Sequence, residues 1–222
     1  MDFPPEGPLH FSNGQNRGSA YIASKVAHID MRGGTLHPSP LTLNIATWKV
    51  EYLTDAKLST LQHYMDQYNI HIICMQEVRR PLSDYFFTDT GFLVITSGGN
   101  GETTEYAGVG FLIHPTLRRS ICKFCQHSNR IACLKVRITG GKIAIFSCYA
   151  PHQGKPFEER FAYFQELSAF WQSVSVNGPR LCFGDFNSRL NLQLPGEEDY
   201  IGPHVFGKEW ANLQQASNRF LA

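Results

Sequence analysis

The apolar positions along the chain change period several times, and each change predicts an element. Leu43, Ile45 and Thr47 alternate with their neighbours in a β-rich run ending at Trp48, which predicts a first strand. Leu58, Leu61 and Met65 then recur at helical spacing behind Thr54, whose hydroxyl suits an N-cap. A helix is therefore expected from Thr54 to about Tyr68. Residues 70–75 form a nearly continuous apolar run, the pattern of a strand covered on both faces. Strand, helix, strand in short order predicts a crossover unit at the start of a layered α/β fold.

The middle of the chain reads differently. Residues 92–96, 109–114, 121–126, 131–138 and 143–149 are strand-like runs separated by short turns, and Thr139-Gly140-Gly141-Lys142 has the composition of a hairpin turn. This half is expected to be antiparallel. A second helix is predicted over residues 157–173, with Phe157, Phe161, Phe164, Leu167 and Trp171 at helical spacing; core packing is the simple reading of that stripe. Residues 180–183 predict a further strand with Gly184-Asp185-Phe186-Asn187 at its C-terminal end, and a last helix is expected to begin near Lys208. Residues 1–40, rich in Gly, Pro, Ser and His, show no sustained period and read as a flexible leader before one domain over residues 41–222.

Composition narrows the picture modestly. With 222 residues, 42% of them hydrophobic and 18% charged, the chain is sized for one good-sized soluble domain. No apolar run approaches the ~20 residues of a membrane-spanning helix, and no secretory signal is read at the N-terminus. Six cysteines do not make a disulfide scaffold, because Cys74, Cys133, Cys148 and Cys182 lie in apolar runs where a thiol acts as a small hydrophobe. A reducing compartment, cytosol or nucleus, is expected. The net charge of +1 argues against holding nucleic acid by bulk electrostatics but leaves room for a few local phosphate contacts. No obligate protein partner is evident.

Polar residues at the ends of apolar strands are the candidates for chemistry, since layered α/β folds gather their sites there. Glu77 ends one run, a hard-oxygen donor suited to Mg²⁺. Asp185 and Asn187 end another, and in an extended segment their i, i+2 spacing would put both side chains on one face. Such a pair could activate a water and hold a phosphate oxygen. Tyr149 ends a third run, with a phenol able to hydrogen-bond a phosphate. Each has a bland reading alone: a strand-end carboxylate is solvated or pairs with a nearby cation, here Arg79 or Arg80, and Asn187 can be a turn residue. The case rests on their occurring together, in order, each at a strand end.

Thr47-Trp48-Lys49-Val50, Gln76-Glu77-Val78, Gly108-Val109-Gly110, Tyr149-Ala150-Pro151 and Gly184-Asp185-Phe186-Asn187 resemble the ordered blocks of the endonuclease/exonuclease/phosphatase superfamily. Within it the chain looks most like the apurinic-type endonuclease domain of non-LTR retrotransposons and proteins derived from them, a subgroup that Ile201-Gly202-Pro203-His204 also fits. The resemblance covers residues 41–222. It implies an α/β (α+β) fold, a four-layer α/β sandwich of two packed mixed β-sheets flanked by helices, and Mg²⁺ (or Mn²⁺) as cofactor. Glu77 would ligate the metal, Asp185 would orient or deprotonate the attacking water, Asn187 would position water or phosphate, and Tyr149 would sit against the phosphate. The implied reaction is in-line hydrolysis of a phosphodiester, with DNA as the expected substrate.

Two departures from the family pattern bear on activity. Where the family's first strand ends in Trp-Asn, this sequence has Lys49, and an ammonium offers donors but no lone pair for a metal. It either contacts substrate phosphate or repels Mg²⁺ and weakens the site; the charge argument favours weakening. Nothing after Asn187 matches the family's closing Ser-Asp-His block, and His204 belongs to the loop after Asn187. The expectation is a domain missing its C-terminal strands. A nicking endonuclease, a phosphatase or RNA-cleaving relative, and a catalytically dead binding module are therefore the competing readings. Cys122-Lys123-Phe124-Cys125 lacks a second ligand pair for zinc and reads as two cysteines on a strand. The glycines of residues 98–101 and 108–110 precede no helix, so they read as a hairpin loop and a close-packed strand.

Overall fold

A computed structural model describes residues 43–80, 82–98, 107–188, 195–196 and 199 of the chain. The expected leader over 1–40, the glycines at 99 and 101 and the helix near Lys208 lie outside the described residues. The chain divides into two compact units: residues 1–149 with 172–185, and residues 150–171 with 186–222.

The first unit holds two mixed sheets. β1 (Ile45–Lys49), β2 (Ile72–Gln76), β3 (Asp84–Phe87), β4 (Leu93–Ser97) and β5 (Val109–Ile113) form one, in the order β1-β2-β5-β4-β3. β6 (Ile121–Gln126), β7 (Ile131–Ile138), β8 (Gly141–Tyr149) and β9 (Arg180–Asp185) form the other, in that order. β1–β2 and β8–β9 are the parallel pairs, and the remaining pairs are antiparallel. The α/β architecture with two mixed sheets is thus as expected. β3 is an addition, because Asp84-Tyr85-Phe86-Phe87 sits between loop residues and is too short to declare a period.

Alternation decides which residues join the sheets. Ile45, Ile72, Cys74, Leu93, Ile95, Val109, Phe111 and Ile113 meet Ala132, Leu134, Val136, Ile143 and Ile145 in one buried core. The opposite face of the first sheet, with Ile73, Met75, Val94 and Leu112, receives Leu58, Leu61 and Met65 of α1 (Asp55–Gln67). Burying each such side chain contributes about 1.5–3 kcal/mol, so the two apolar faces of the first sheet fix its place between α1 and the second sheet. Thr54 caps α1 as predicted, its Oγ1 accepting from the Lys57 N–H at 3.3 Å. Cys122 and Cys125 lie on β6 as free thiols, and burial pushes the Cys133 thiol on β7 up to about 12.

The entry to β2 carries a titratable contact. The Asn44 N–H donates to His71 Nδ1 at 3.1 Å, so that nitrogen must stay unprotonated. Burial, then the neighbouring His114, holds the His71 pKa below its ordinary 6.5. The unfolded chain therefore takes up this proton at a higher pH than the folded one. Stability should fall as pH drops below 6.5 toward the folded pKa. In melting curves from pH 7.5 to 5.5, His71→Asn, which keeps an acceptor but no titration, should lose part of that slope; an unchanged slope would clear His71 of the effect.

Most of the predicted second helix lies in the second unit. α2 (Phe157–Ser173) has the predicted bounds, but its aromatic stripe is not core throughout. Phe157 and Phe161 are 45% and 42% exposed and stack on each other at 5.8 Å, while the fully buried residue of the helix is Tyr163, off the predicted stripe. Helical spacing identifies an apolar face; it does not say whether anything covers that face.

Candidate functional site

Parallel pairing brings strand C-termini together. β1 and β2 run side by side with Lys49 opposite Gln76, and β8 and β9 run side by side with Tyr149 opposite Asp185. With the two sheets packed face to face, Lys49, Glu77, Tyr149 and Asp185 emerge at one end of the inter-sheet core. Four of the five site residues predicted from sequence thus share one cluster. Asn187, the fifth, belongs to the second unit, where its Nδ2 donates to the Ala150 carbonyl at 2.7 Å. Its φ of +47° is left-handed, and β9 ends at Asp185, so the extended i, i+2 pairing expected of Asp185 and Asn187 does not form. The strand runs two residues past the predicted end at Phe183 and stops at Asp185.

Glu77 is the hub. It is 5% exposed, and both its oxygens are engaged. Oε1 meets Lys49 Nζ at 2.8 Å and accepts from the Tyr149 hydroxyl at 2.7 Å, while Oε2 pairs with an Arg79 guanidinium nitrogen at 2.6 Å. Lys49 Nζ also reaches Asp185 Oδ2 at 3.1 Å, so the ammonium bridges the two carboxylates. Arg130 lies over the Tyr149 ring, 5.1 Å from its centroid, and donates to the Tyr149 carbonyl at 3.4 Å. Beneath the cluster, Gln76 reaches Ser147 across the sheets at 3.4 Å and accepts from Thr47 Oγ1 at 3.1 Å, and Ser147 donates to the Met75 carbonyl at 3.1 Å. This buried polar layer ties β1, β2 and β8 in register.

The charges set the protonation states. Burial alone would raise the Glu77 pKa, but hydrogen bonds from Lys49, Tyr149 and Arg79 outweigh it and hold the carboxyl below its usual range. Burial opposes the Lys49 charge too, and the bonds to Glu77 and Asp185 again win, keeping the ammonium protonated. Burial, reinforced by donation to Glu77, pushes the Tyr149 phenol up to about 12, so it is a donor at neutral pH.

Backbone strain gathers at the same place. Glu77 and Arg79 take φ of +53° and +54°, a left-handed conformation unusual for either residue. Gly108 holds this turn: its carbonyl accepts from the Val78 N–H at 2.9 Å, its own N–H donates to Asn129, and its φ is +110°. A Cβ there would stand 2.9 Å from the Arg79 nitrogen. Gly108→Ala is expected to cost about 1–3 kcal/mol through φ and this contact together, measured by urea unfolding; a loss under ~0.5 kcal/mol would mean the turn relaxes freely.

The donor set does not fit a resident divalent ion. An oxygen ligand to Mg²⁺ sits at about 2.0–2.1 Å, yet Glu77 Oε1 already accepts from Lys49 and Tyr149, Oε2 carries the Arg79 guanidinium, and the Lys49 ammonium stands between Glu77 and Asp185. Among the described residues no three His, Cys, Asp or Glu side chains converge closely enough to hold a metal. Sequence reasoning did offer Arg79 as a partner for Glu77, and that pair forms. It missed Arg130 and the Thr47-Gln76-Ser147 layer, because nothing local to those residues announces contacts across sheets.

Comparison with known proteins gives the cluster a context. A family model described as the endonuclease/exonuclease/phosphatase family matches residues 46–208. A search of the curated proteins finds no match. Among solved structures, an AP endonuclease from Leishmania major superposes with a TM-score of 0.50 at 13% identity, over 65% of this chain and 55% of that one. An AP endonuclease from Archaeoglobus fulgidus gives 0.49 at 16%, over 81% and 69%. The endonuclease domain of TRAS1, a telomere-specific non-LTR retrotransposon, gives 0.45 at 15%, over 65% and 60%. At 13% identity the Leishmania likeness is one of fold, and the chain spans little more than half of that structure's length.

Proposed function

The chain belongs to the endonuclease/exonuclease/phosphatase family, and on that premise we propose that its strand-end cluster receives a phosphodiester of DNA and serves endonucleolytic nicking. One observation carries the reading: two carboxylates, a phenol and three cations converge where four strands end. Lys49, Arg79 and Arg130 against Glu77 and Asp185 leave an excess of one positive charge, which favours a phosphate anion.

In this scheme Lys49 and Arg79 take the non-bridging phosphate oxygens, and Tyr149, kept protonated, turns its one hydroxyl proton from Glu77 to the charge that grows on them. Asp185 accepts the proton of the attacking water, whose oxygen bonds to phosphorus as the in-line bond to the leaving sugar oxygen breaks, and that oxygen takes a proton from solvent. Glu77 acts at one remove, holding Lys49, Arg79 and Tyr149 in place. Mg²⁺, expected from the resemblance, supplies Lewis-acid chemistry when bound. Lys49, Tyr149 and Arg79 engage the Glu77 oxygens and Lys49 engages Asp185 Oδ2, so every step here is carried by the chain's own residues.

A second reading, a module that binds nucleic acid without cutting it, is favoured by the same ammonium: Lys49 ties up the proton acceptor on which hydrolysis depends. Nicking of supercoiled plasmid by the purified chain, with Mg²⁺ and with EDTA, separates the two. Nicking that is lost in Asp185→Asn supports the enzyme. A folded chain that retards plasmid in a gel but leaves it supercoiled in both buffers makes it the binding module.

A further inference from the structure

We infer that the Lys49 ammonium is this chain's own occupant of the cation position between Glu77 and Asp185, so that the native site excludes Mg²⁺ and Mn²⁺. The inference does not depend on whether the chain cuts DNA.

The geometry is specific. Nζ stands 2.8 Å from Glu77 Oε1 and 3.1 Å from Asp185 Oδ2, hydrogen-bonding distances to two carboxylates on different sheets. A divalent ion binding both carboxylates would need the same oxygens at shorter range. The two cations cannot share them, since each carboxylate oxygen turned toward the ion is already turned toward an N–H, and cations a few ångströms apart in a half-buried site repel strongly. An ion at the other Glu77 oxygen would meet a second cation, the Arg79 guanidinium at 2.6 Å.

The placement follows from the fold. Lys49 is the last residue of β1, paired with Gln76, the residue before Glu77. Its side chain also passes the Tyr149 ring, with Nζ 5.7 Å from the centroid, so it is confined on the β8 side as well. A fixed +1 charge replaces an exchangeable +2 charge. The site therefore keeps its anion-attracting character whatever the metal supply, and its carboxylates are already paired with cations before any substrate arrives.

The removal of that one ammonium should turn the pair of carboxylates into a metal site. Mn²⁺ titration of the full chain, followed by electron paramagnetic resonance of the free aquo ion, tests this without requiring activity. The wild type should take up no stoichiometric Mn²⁺. Lys49→Asn should bind one equivalent, with affinity raised roughly tenfold or more, and Lys49→Asn with Glu77→Gln should lose it. Lys49→Ser serves if the Asn variant does not fold. One equivalent of Mn²⁺ on the wild type that disappears in Glu77→Gln would overturn the inference. So would Lys49 variants that are folded by circular dichroism and take up no metal.

Discussion

Asp185→Asn is expected to lower plasmid nicking by about 10²- to 10⁴-fold, the range for loss of a positioned proton acceptor, while moving the melting temperature by less than about 4 °C. The two halves have different physical origins. Asparagine keeps the shape at the end of β9 but cannot take a proton from water, so the loss should appear in kcat rather than in substrate affinity. Structurally, the carboxylate pairs with Lys49 at 3.1 Å, and its side chain is 25% exposed. Such a pair contributes about 0.2–1 kcal/mol, and Lys49 retains Glu77. A variant that nicks at the wild-type rate would remove Asp185 from the chemistry. A variant that nicks slowly but also melts far lower would make its role structural.

Glu77→Ala should act the other way round, costing about 3 kcal/mol of stability, or roughly 6–12 °C in melting temperature for a domain of this size. Truncation leaves the Tyr149 hydroxyl, the Lys49 ammonium and the Arg79 guanidinium facing a void in place of their shared acceptor. Lys49 and Arg79 are about a third exposed and can turn toward water, which keeps the figure at the lower end of what a lost buried ion-pair partner costs.

The pH dependence of that loss has a definite sign. Because the folded pKa of Glu77 lies below its ordinary 4.5, its contribution is fully present above pH 4.5 and is lost as pH falls through the folded value. The stability gap between wild type and Glu77→Ala in urea should therefore be widest near neutral pH and close in acid; a gap constant to pH 3 would mean that the carboxylate's charge is not what stabilises. Glu77→Gly removes the same carboxylate but suits the φ of +53°, so it should be about 1 kcal/mol more stable than the alanine variant.

Local pattern determined a good deal about this protein. The Thr54 cap with Leu58, Leu61 and Met65 behind it marks α1, and the nearly continuous apolar run at residues 70–75 marks the strand buried on both faces, found at Ile72–Gln76. In both cases the signal is carried by contiguous residues meeting one uniform environment. Glu77, Tyr149 and Asp185 were legible as strand ends for the same reason, since a polar residue stops an apolar run, whereas Lys49 stood out only against the family pattern.

What those residues do to one another was decided only by tertiary structure. Lys49 and Glu77 are 28 positions apart and Lys49 and Asp185 are 136 apart, and no local pattern encodes a 3 Å contact at such separations. The contacts arise from the order of strands within each sheet and from the packing of one sheet on the other. Those are set by the burial of many side chains at once. The sequence showed that Lys49 cannot ligate a metal; the register of β1 on β2 and of β8 on β9 put its ammonium between two carboxylates. The exposure of Phe157 and Phe161 makes the same point from the surface, because an apolar face is a property of a helix and its cover is a property of the whole fold.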